Sequence, residues 1–356
     1  MNLRENVRLA PYTTLQLGGP ARYFVECASE SEVRAALAHA RERGLAVFVL
    51  GGGSNVVFGD AGFPGVVLHV AIGGIAFGEG DGPGGAPEIS AGAGADWDTL
   101  VRGAVERGWT GVECLSGIPG TVGGTPIQNV GAYGQEVAET LVRVTCLDRA
   151  TLERRTFTAA ECEFGYRDSR FKRRDRGRYV VLDVTLRLER DAPPRVRYPE
   201  LHDAIARAGS LDAAAPADAV RLVRQMVLAL RRAKSMVLDP DDPNARSAGS
   251  FFMNPVLSPE AFAELERRWQ RAGGTSAIPS FPAADAVKVP AAWLVERAGF
   301  PKGYRLGGAA VSERHALALV NLGGTSAELL ELADTIRAGV EGRFGITLKC
   351  EPEVVR

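Results

Sequence analysis

Between Ser116 and Gly134 the chain sets Gly117, Gly120, Gly123, Gly124, Gly131 and Gly134 among Pro119, Thr125, Pro126, Gln128 and Asn129. Such a stretch cannot run as a regular helix or strand interior, because glycine gives up backbone order and proline lacks a donor. It must be a long shaped loop. Missing Cβ atoms let backbone amides close on an anion, and the interleaved hydroxyls and carboxamides add directional hydrogen bonds. A second glycine run, Gly51-Gly52-Gly53-Ser54-Asn55, follows Ala46-Val47-Phe48-Val49-Leu50, which reads as a buried strand. Two loops of this kind suit the two halves of a pyrophosphate. Glycines that merely turn the chain are the alternative.

Neither loop is a standard nucleotide motif. The phosphate loop GxxxxGK[ST] is absent, and Val56 stands where the dinucleotide fingerprint needs its third glycine. This disfavours a phosphate-loop NTPase and a plain Rossmann oxidoreductase. The 42 basic and 43 acidic residues nearly cancel, which leaves no basic excess for nucleic acid or an anionic membrane. The start, Met1-Asn2-Leu3-Arg4-Glu5-Asn6, is polar, and no run approaches the ~20 apolar residues of a membrane helix. Cys27, Cys114, Cys146, Cys162 and Cys350 show no metal-ligand spacing, and an odd, scattered set suits a reducing cytoplasm. The four histidines are scattered too, so no metal site is expected.

Periodicity outlines an α+β chain. Ser29 and Glu32 offer a capping box for a helix through Val33, Leu37 and Ala40, with Gly44 as its stop. Val66 to Val70 reads as a strand, Gly80 to Gly85 as a surface turn, and Asp98 to Arg107 as a helix ended by Gly108. Leu141 to Leu147 and Tyr179 to Leu188 read as strands, the second with a period-2 pattern at Val180, Leu182, Val184, Leu186 and Leu188. From Asp191 to Pro243 a connecting region holds one strong helix, Pro216 at its start and Val220, Val223, Val227 and Leu230 on one face. Helices follow at Ser258-Pro259-Glu260, at Pro290 through Leu294, and after a Thr325–Glu328 capping box. Ile346-Thr347-Leu348 reads as a short final strand.

Paired with Ile118-Pro119-Gly120-Thr121-Val122-Gly123-Gly124, the Leu50–Val56 segment resembles the FAD-binding domain of the vanillyl-alcohol oxidase group. Further segments narrow the likeness: Phe164 to Lys172 (FGYRDSRFK), Ala248 to Pro255 (AGSFFMNP), Leu306 to Val311 (LGGAAV) and Cys350 to Val354 (CEPEV). In that order the chain, from Pro11 to Val354, resembles the UDP-N-acetylenolpyruvoylglucosamine reductase family. The resemblance implies a two-part FAD-binding domain plus a smaller α+β substrate-binding domain. Its segments would be 1–195 for FAD, 196–243 for a tyrosine loop and connecting helix, 244–345 for substrate, and 346–356 for a strand returning to the active site. It also implies noncovalent FAD, NADPH as co-substrate, UDP-N-acetylglucosamine enolpyruvate as substrate, and a cytoplasmic monomer serving peptidoglycan precursor synthesis.

Residue by residue, the resemblance makes Arg167, Ser250 and Glu353 catalytic. Hydride addition to an enolpyruvyl group builds enolate-like charge, which fixed donors stabilise. Arg167 offers a permanently charged fork for a carboxylate, although a plain pair with Asp168 is the alternative. Ser250, between Gly249 and two phenylalanines, would deliver the proton to carbon if held in a dry pocket; a turn serine is the alternative. Glu353 would need to hold or share a proton, a state that burial near the flavin favours. From spacing alone it is a surface carboxylate. Tyr198, Arg231, Lys234 and Asn254 are the expected substrate contacts. Gly51, Gly52, Gly53, Ser54, Asn55, Ile118, Pro119, Gly120, Val122, Gly123, Gly124, Gln128, Asn129, Gly131, Ala132 and Tyr133 are the expected cofactor contacts.

Arg170, Lys172, Arg173, Arg174, Arg176 and Arg178 form a basic cluster, either a solvated loop or a seat for the NADPH 2′-phosphate. Arg297 and Met253 depart from the commoner family residues, glutamine and lysine. Two rival functions stay open at this point. One is another FAD-dependent sugar or hydroxy-acid oxidase, the other a non-enzymatic flavin or nucleotide-sugar binding module.

Overall fold

A computed structural model of the chain describes residues 2–80, 82–209, 211 and 215–356. The chain forms two compact units interleaved in sequence. The first holds Met1–Val7, Ala21–Gly52 and Pro64–Val237; the second holds Arg8–Pro20, Gly53–Phe63 and Leu238–Arg356. Two short early stretches, Arg8–Pro20 and Gly53–Phe63, thus belong with the C-terminal part. The boundary at Gly52 and Gly53 falls inside the first glycine loop.

The first unit contains a four-stranded and a five-stranded sheet besides two short two-stranded ones among the described residues. The four-stranded sheet has the order Leu3–Arg8, Pro20–Cys27, Phe63–Val70, Val47–Leu50. The strand expected at Ala46–Leu50 runs parallel to the middle strand, with Val47 opposite Val66. The five-stranded sheet is antiparallel, in the order Arg154–Thr158, Leu141–Asp148, Tyr179–Arg187, Glu88–Gly92, Ile75–Gly78. Tyr179–Arg187 lies at its centre; Val180, Leu182, Val184 and Leu186 are buried, and so are Val181 and Thr185 on the other face, so this strand is covered on both sides. Helix Trp97–Glu106 closes one face. Trp97, Leu100, Val101 and Ala104 are almost wholly buried, each large side chain contributing about 1.5–3 kcal/mol.

The Ser29 cap forms with a variation. Ser29 Oγ accepts the Glu32 N–H, but the Glu32 carboxylate returns to the N–H of Ala28 rather than of Ser29. Among the described residues between 191 and 243 there are two helices, Pro199–Ala208 and Pro216–Ala233, where one was expected. Their facing apolar side chains, Leu201 and Ile205 with Val223 and Val227, bury one another together with Cys114.

The second unit is smaller. A four-stranded sheet has the order Ser247–Ser250, Ala318–Asn321, Ala309–Val311, Arg305–Leu306. Helix Ser326–Phe344 covers it with Leu329, Leu332, Ile336 and Val340, and both halves of the Thr325–Glu328 capping box form. The expected strand at Ile346–Leu348 does not form. Leu348 is buried in the core, and its carbonyl accepts Arg337 Nε instead of a ladder bond. The final strand is Glu353–Val355, which runs parallel to Val56–Phe58. Asp81, in the expected Gly80–Gly85 turn, lies outside the described residues.

Candidate functional site

In the first unit the two glycine loops meet backbone to backbone. A Cβ on Gly52 would stand 2.6 Å from Gly120 Cα, and one on Gly51 would stand 2.8 Å from Thr121 Oγ1. Gly123 packs on Ala93, where a Cβ would lie 2.6 Å from its methyl. These glycines are therefore required by the chain's own packing. Gly124 differs: it is exposed, has ordinary helical φ, and a Cβ there would meet nothing within 4 Å. Gly52 is exposed as well. Side-chain-free backbone on an open face fits a bulky phosphorylated cofactor that must approach closely.

The rest of the second loop is shaped from within. Asn129, 1% exposed and at φ 45°, donates to Glu136 Oε2 (2.7 Å) and Gly165 O (3.0 Å). Its Oδ1 accepts the Ala138 N–H (3.1 Å). Its side chain is thus committed to the protein. The loop then turns back as the hairpin Gly131–Ala132 with Gln135–Glu136, which puts Tyr133 at the tip with φ 49°. Behind it Glu113, fully buried, accepts the Gly111 N–H (2.6 Å) and Gln135 Nε2 (3.4 Å). Burial pushes the Glu113 carboxyl up. Asp98 accepts the Gly117 N–H at 2.6 Å and a bidentate pair from Arg224 at 2.6 and 2.7 Å, so it ties two helices to the loop's first glycine.

Tyr133 gathers the expected substrate contacts of this unit. Its ring meets Tyr198 edge-on at 5.5 Å, and Lys234 Nζ stands 6.0 Å from its centroid. Burial pushes the Tyr133 phenol up to about 12 and raises Tyr198 too, so both are neutral hydrogen-bond donors at ordinary pH. Lys234 pairs with Glu200 at 2.6 Å. Arg231 donates to Met236 O (2.7 Å), while its Nε is buried with no hydrogen-bond partner, and burial pulls its pKa down.

Arg167 sits at the tip of a tight turn closed by Gly165 and Asp168, which exchange both backbone hydrogen bonds (3.0 and 3.1 Å). Its φ is 53°, where glycine or asparagine is the usual occupant and other residues are strained by roughly 1–3 kcal/mol. Arg167 NH2 donates to Gly131 O (2.6 Å), which joins the arginine to the second glycine loop. Lys172 Nζ supports the turn by donating to the Arg167 carbonyl (3.0 Å).

Much of the basic cluster is structural. Arg170 is 4% exposed, is paired with Asp175 at 2.6 Å and lies over the Phe157 ring. Arg173 pairs with Asp168, Arg174 with Glu163 and Arg178 with Asp148.

In the second unit, Gly53 at φ 63° is pressed on the Tyr12 carbonyl, which a Cβ would approach to 1.9 Å. Ser54 is half-buried in the same turn. Asn55 Nδ2 donates to Glu351 O (3.4 Å), and Asn55 O accepts the Glu353 N–H (3.0 Å). Glu353 therefore starts the last strand beside the first loop. It is exposed, so the protein alone does not supply the burial expected for it. Ser250 ends its strand opposite Ala318, half-buried, after Gly249 at φ 72°. Phe251 and Phe252 are both buried; Phe251 donates its N–H to Leu317 O (2.7 Å) and accepts the Glu351 N–H (2.9 Å), and Phe252 lies opposite Cys350 in an antiparallel bridge, which fixes the serine's backbone. Asn254 Oδ1 accepts the Ala291 N–H (2.8 Å) at a helix start. Arg297 is an exposed residue in that helix's last turn.

Sequence reasoning missed the roles of Asp98, Glu113, Gln135 and Glu200, and gave Lys172 only a place in the basic cluster. Only Glu200, two residues after the singled-out Tyr198, had a local signal. A groove of about 500 Å³, lined by Phe77, Thr99, Arg102 and Arg107 among others, contains none of the expected site residues.

Residues 21–153 match the FAD binding domain family, and residues 241–355 match the C-terminal domain of UDP-N-acetylenolpyruvoylglucosamine reductase. The UDP-N-acetylenolpyruvoylglucosamine reductase of Thermobifida fusca is 50% identical over 357 residues, covering 99% of this chain and 97% of that protein. That of Streptomyces coelicolor is 46% identical, covering 98% and 88%. The crystal structure of the Thermus caldophilus reductase aligns over the full length of both chains, with a TM-score of 0.65 at 25% identity. Glycine loops, arginine turn, serine strand and terminal glutamate strand thus occur together in a chain that is half identical, end to end, to a named reductase, and the chain belongs to the UDP-N-acetylenolpyruvoylglucosamine reductase family.

Proposed function

We propose that this protein reduces UDP-N-acetylglucosamine enolpyruvate to UDP-N-acetylmuramate with NADPH, through noncovalently bound FAD, in peptidoglycan precursor synthesis. Identity of 50% across nearly the whole length of a named reductase carries the proposal. In it, residues 1–195 hold FAD, 196–243 carry the tyrosine segment and connecting helix, 244–345 bind substrate, and 346–356 return Glu353 to the site. The exposed backbone at Gly52 and Gly124 would face the FAD pyrophosphate. Asn129 and Asp98 act by shaping the loop. When bound, FAD supplies the hydride relay from NADPH to the enolpyruvyl carbon.

The side chains then divide the remaining work. Arg167, already oriented by Gly131 O, binds the substrate carboxylate and offsets charge that grows as hydride adds. Ser250 gives its hydroxyl proton to the neighbouring carbon, which completes addition of one hydride and one proton across the double bond. Glu353 donates a hydrogen bond to the developing enolate, and its exposure means that bound cofactor and substrate must provide its dry surroundings. Lys234, Arg231, Tyr198 and Asn254 hold the uridine diphosphate. We place the protein in the cytoplasm as a monomer. No helix among the described residues is long and apolar enough to cross a membrane, and all five cysteines are free.

The test is spectroscopic. The purified protein should be yellow; NADPH should bleach it without oxygen, and UDP-N-acetylglucosamine enolpyruvate should restore the colour. A preparation that takes up no flavin, or whose reduced flavin only oxygen reoxidises, contradicts the proposal.

A further inference from the structure

The proposed diphosphate subsite contains a carboxylate on its own lysine. Glu200 Oε2 lies 2.6 Å from Lys234 Nζ. A site that only had to bind a dianion would gain nothing from a fixed negative charge there, because like charges this close repel. The placement is not that of an incidental surface pair. Glu200 lies in the first turn of helix Pro199–Ala208, two residues after Tyr198, the residue that caps the helix. Lys234 caps the far end of helix Pro216–Ala233. The same two segments also meet through Tyr133, whose ring touches Tyr198 and faces Lys234. Both partners of the ion pair are partly solvated, with side chains 31% and 39% exposed, so the pair is easily exchanged for a stronger anion.

We propose that Glu200 is a built-in counter-anion, a positioning residue that holds Lys234 until a nucleoside diphosphate displaces it. The inference rests on Lys234 being a diphosphate contact. It assigns Glu200 two effects. It lowers the affinity of the subsite, since the incoming diphosphate must break the pair and then lie near the displaced carboxylate. It also ties the start of the Tyr198 helix to Lys234 while the subsite is empty. A diphosphate, with several acceptor oxygens and more than one charge, outcompetes a single carboxylate for one ammonium group.

Calorimetric titration of the FAD-loaded protein with UDP, at fixed ionic strength, tests this. Glu200→Gln should bind UDP roughly three- to tenfold more tightly than wild type. It should lower KM for the UDP-sugar substrate in similar proportion. Glu200→Asp, which keeps the charge, should stay within about twofold of wild type. A merely structural role for the pair predicts the opposite sign. Unchanged or weaker UDP binding by Glu200→Gln overturns the inference and leaves the function reading intact. Wild-type protein that is reduced by NADPH but does not bind UDP overturns the diphosphate reading, and the inference with it.

Discussion

In the first unit the residues expected at the flavin are mostly backbone, and their side chains are absent or committed to the protein. In the second unit the expected chemistry sits on two side chains at strand ends, Ser250 and Glu353, held by the hydrogen bonds of their own and neighbouring backbone. Gly52 closes on Gly120 and Gly123 on Ala93 where a Cβ is missing, and Asn129 uses its carboxamide to pin Glu136, Gly165 and Ala138. By contrast, Phe251 and Phe252 are buried around a half-buried serine, and Glu353 is exposed. A cofactor cradle and a reacting group thus pose different problems. The first is solved by close backbone packing, the second by a stiff strand that presents one polar atom.

That contrast can be broken at the glycines. Gly53→Ala would force a Cβ to 1.9 Å from the Tyr12 carbonyl at a positive φ, so it should destabilise the protein by on the order of 3–5 kcal/mol in denaturant unfolding. Gly124→Ala has open space, so it should change stability by less than about 0.5 kcal/mol yet weaken FAD binding roughly tenfold or more. If Gly124→Ala keeps full flavin affinity, the open face is not the cofactor's.

A smaller effect sharpens the comparison at Asp98. Burial raises this carboxyl, but the Arg224 pair and the Gly117 N–H outweigh burial and hold it below its ordinary value. A carboxyl depressed in the folded state stabilises above its unfolded pKa, near 3.9, and that stabilisation is lost as pH falls through the folded value. Asp98→Asn should therefore cost about 1–3 kcal/mol at pH 7, and its unfolding free energy should converge with wild type below about pH 4. A gap that persists undiminished into the acid range would mean that shape rather than charge holds the loop.

What could be read in advance follows the same division. The alternation at Val180, Leu182, Val184 and Leu186 and the glycine loops were legible because period and missing side chains act locally. Helix Pro199–Ala208 was legible in principle, from Pro199 at its start and Leu201, Ala204 and Ile205 on one face, but the tyrosine segment read as a loop. The apolar run Ile346–Leu348 looked like a strand. The pairing instead begins at Glu353, because Leu348 fills the core and the edge beside Val56–Phe58 is reached only later. The Asp98–Arg224 pair spans 126 residues, so no local pattern could announce it. Four arginines of the basic cluster proved to have carboxylate partners, which composition alone cannot assign.

The division between cradle and reacting side chain is tested most directly by following the two half-reactions separately, without oxygen, in Ser250→Ala. NADPH should bleach its flavin at the wild-type rate, while the enolpyruvyl substrate should reoxidise it about 10²–10⁴-fold more slowly. Reoxidation at the wild-type rate would contradict the account.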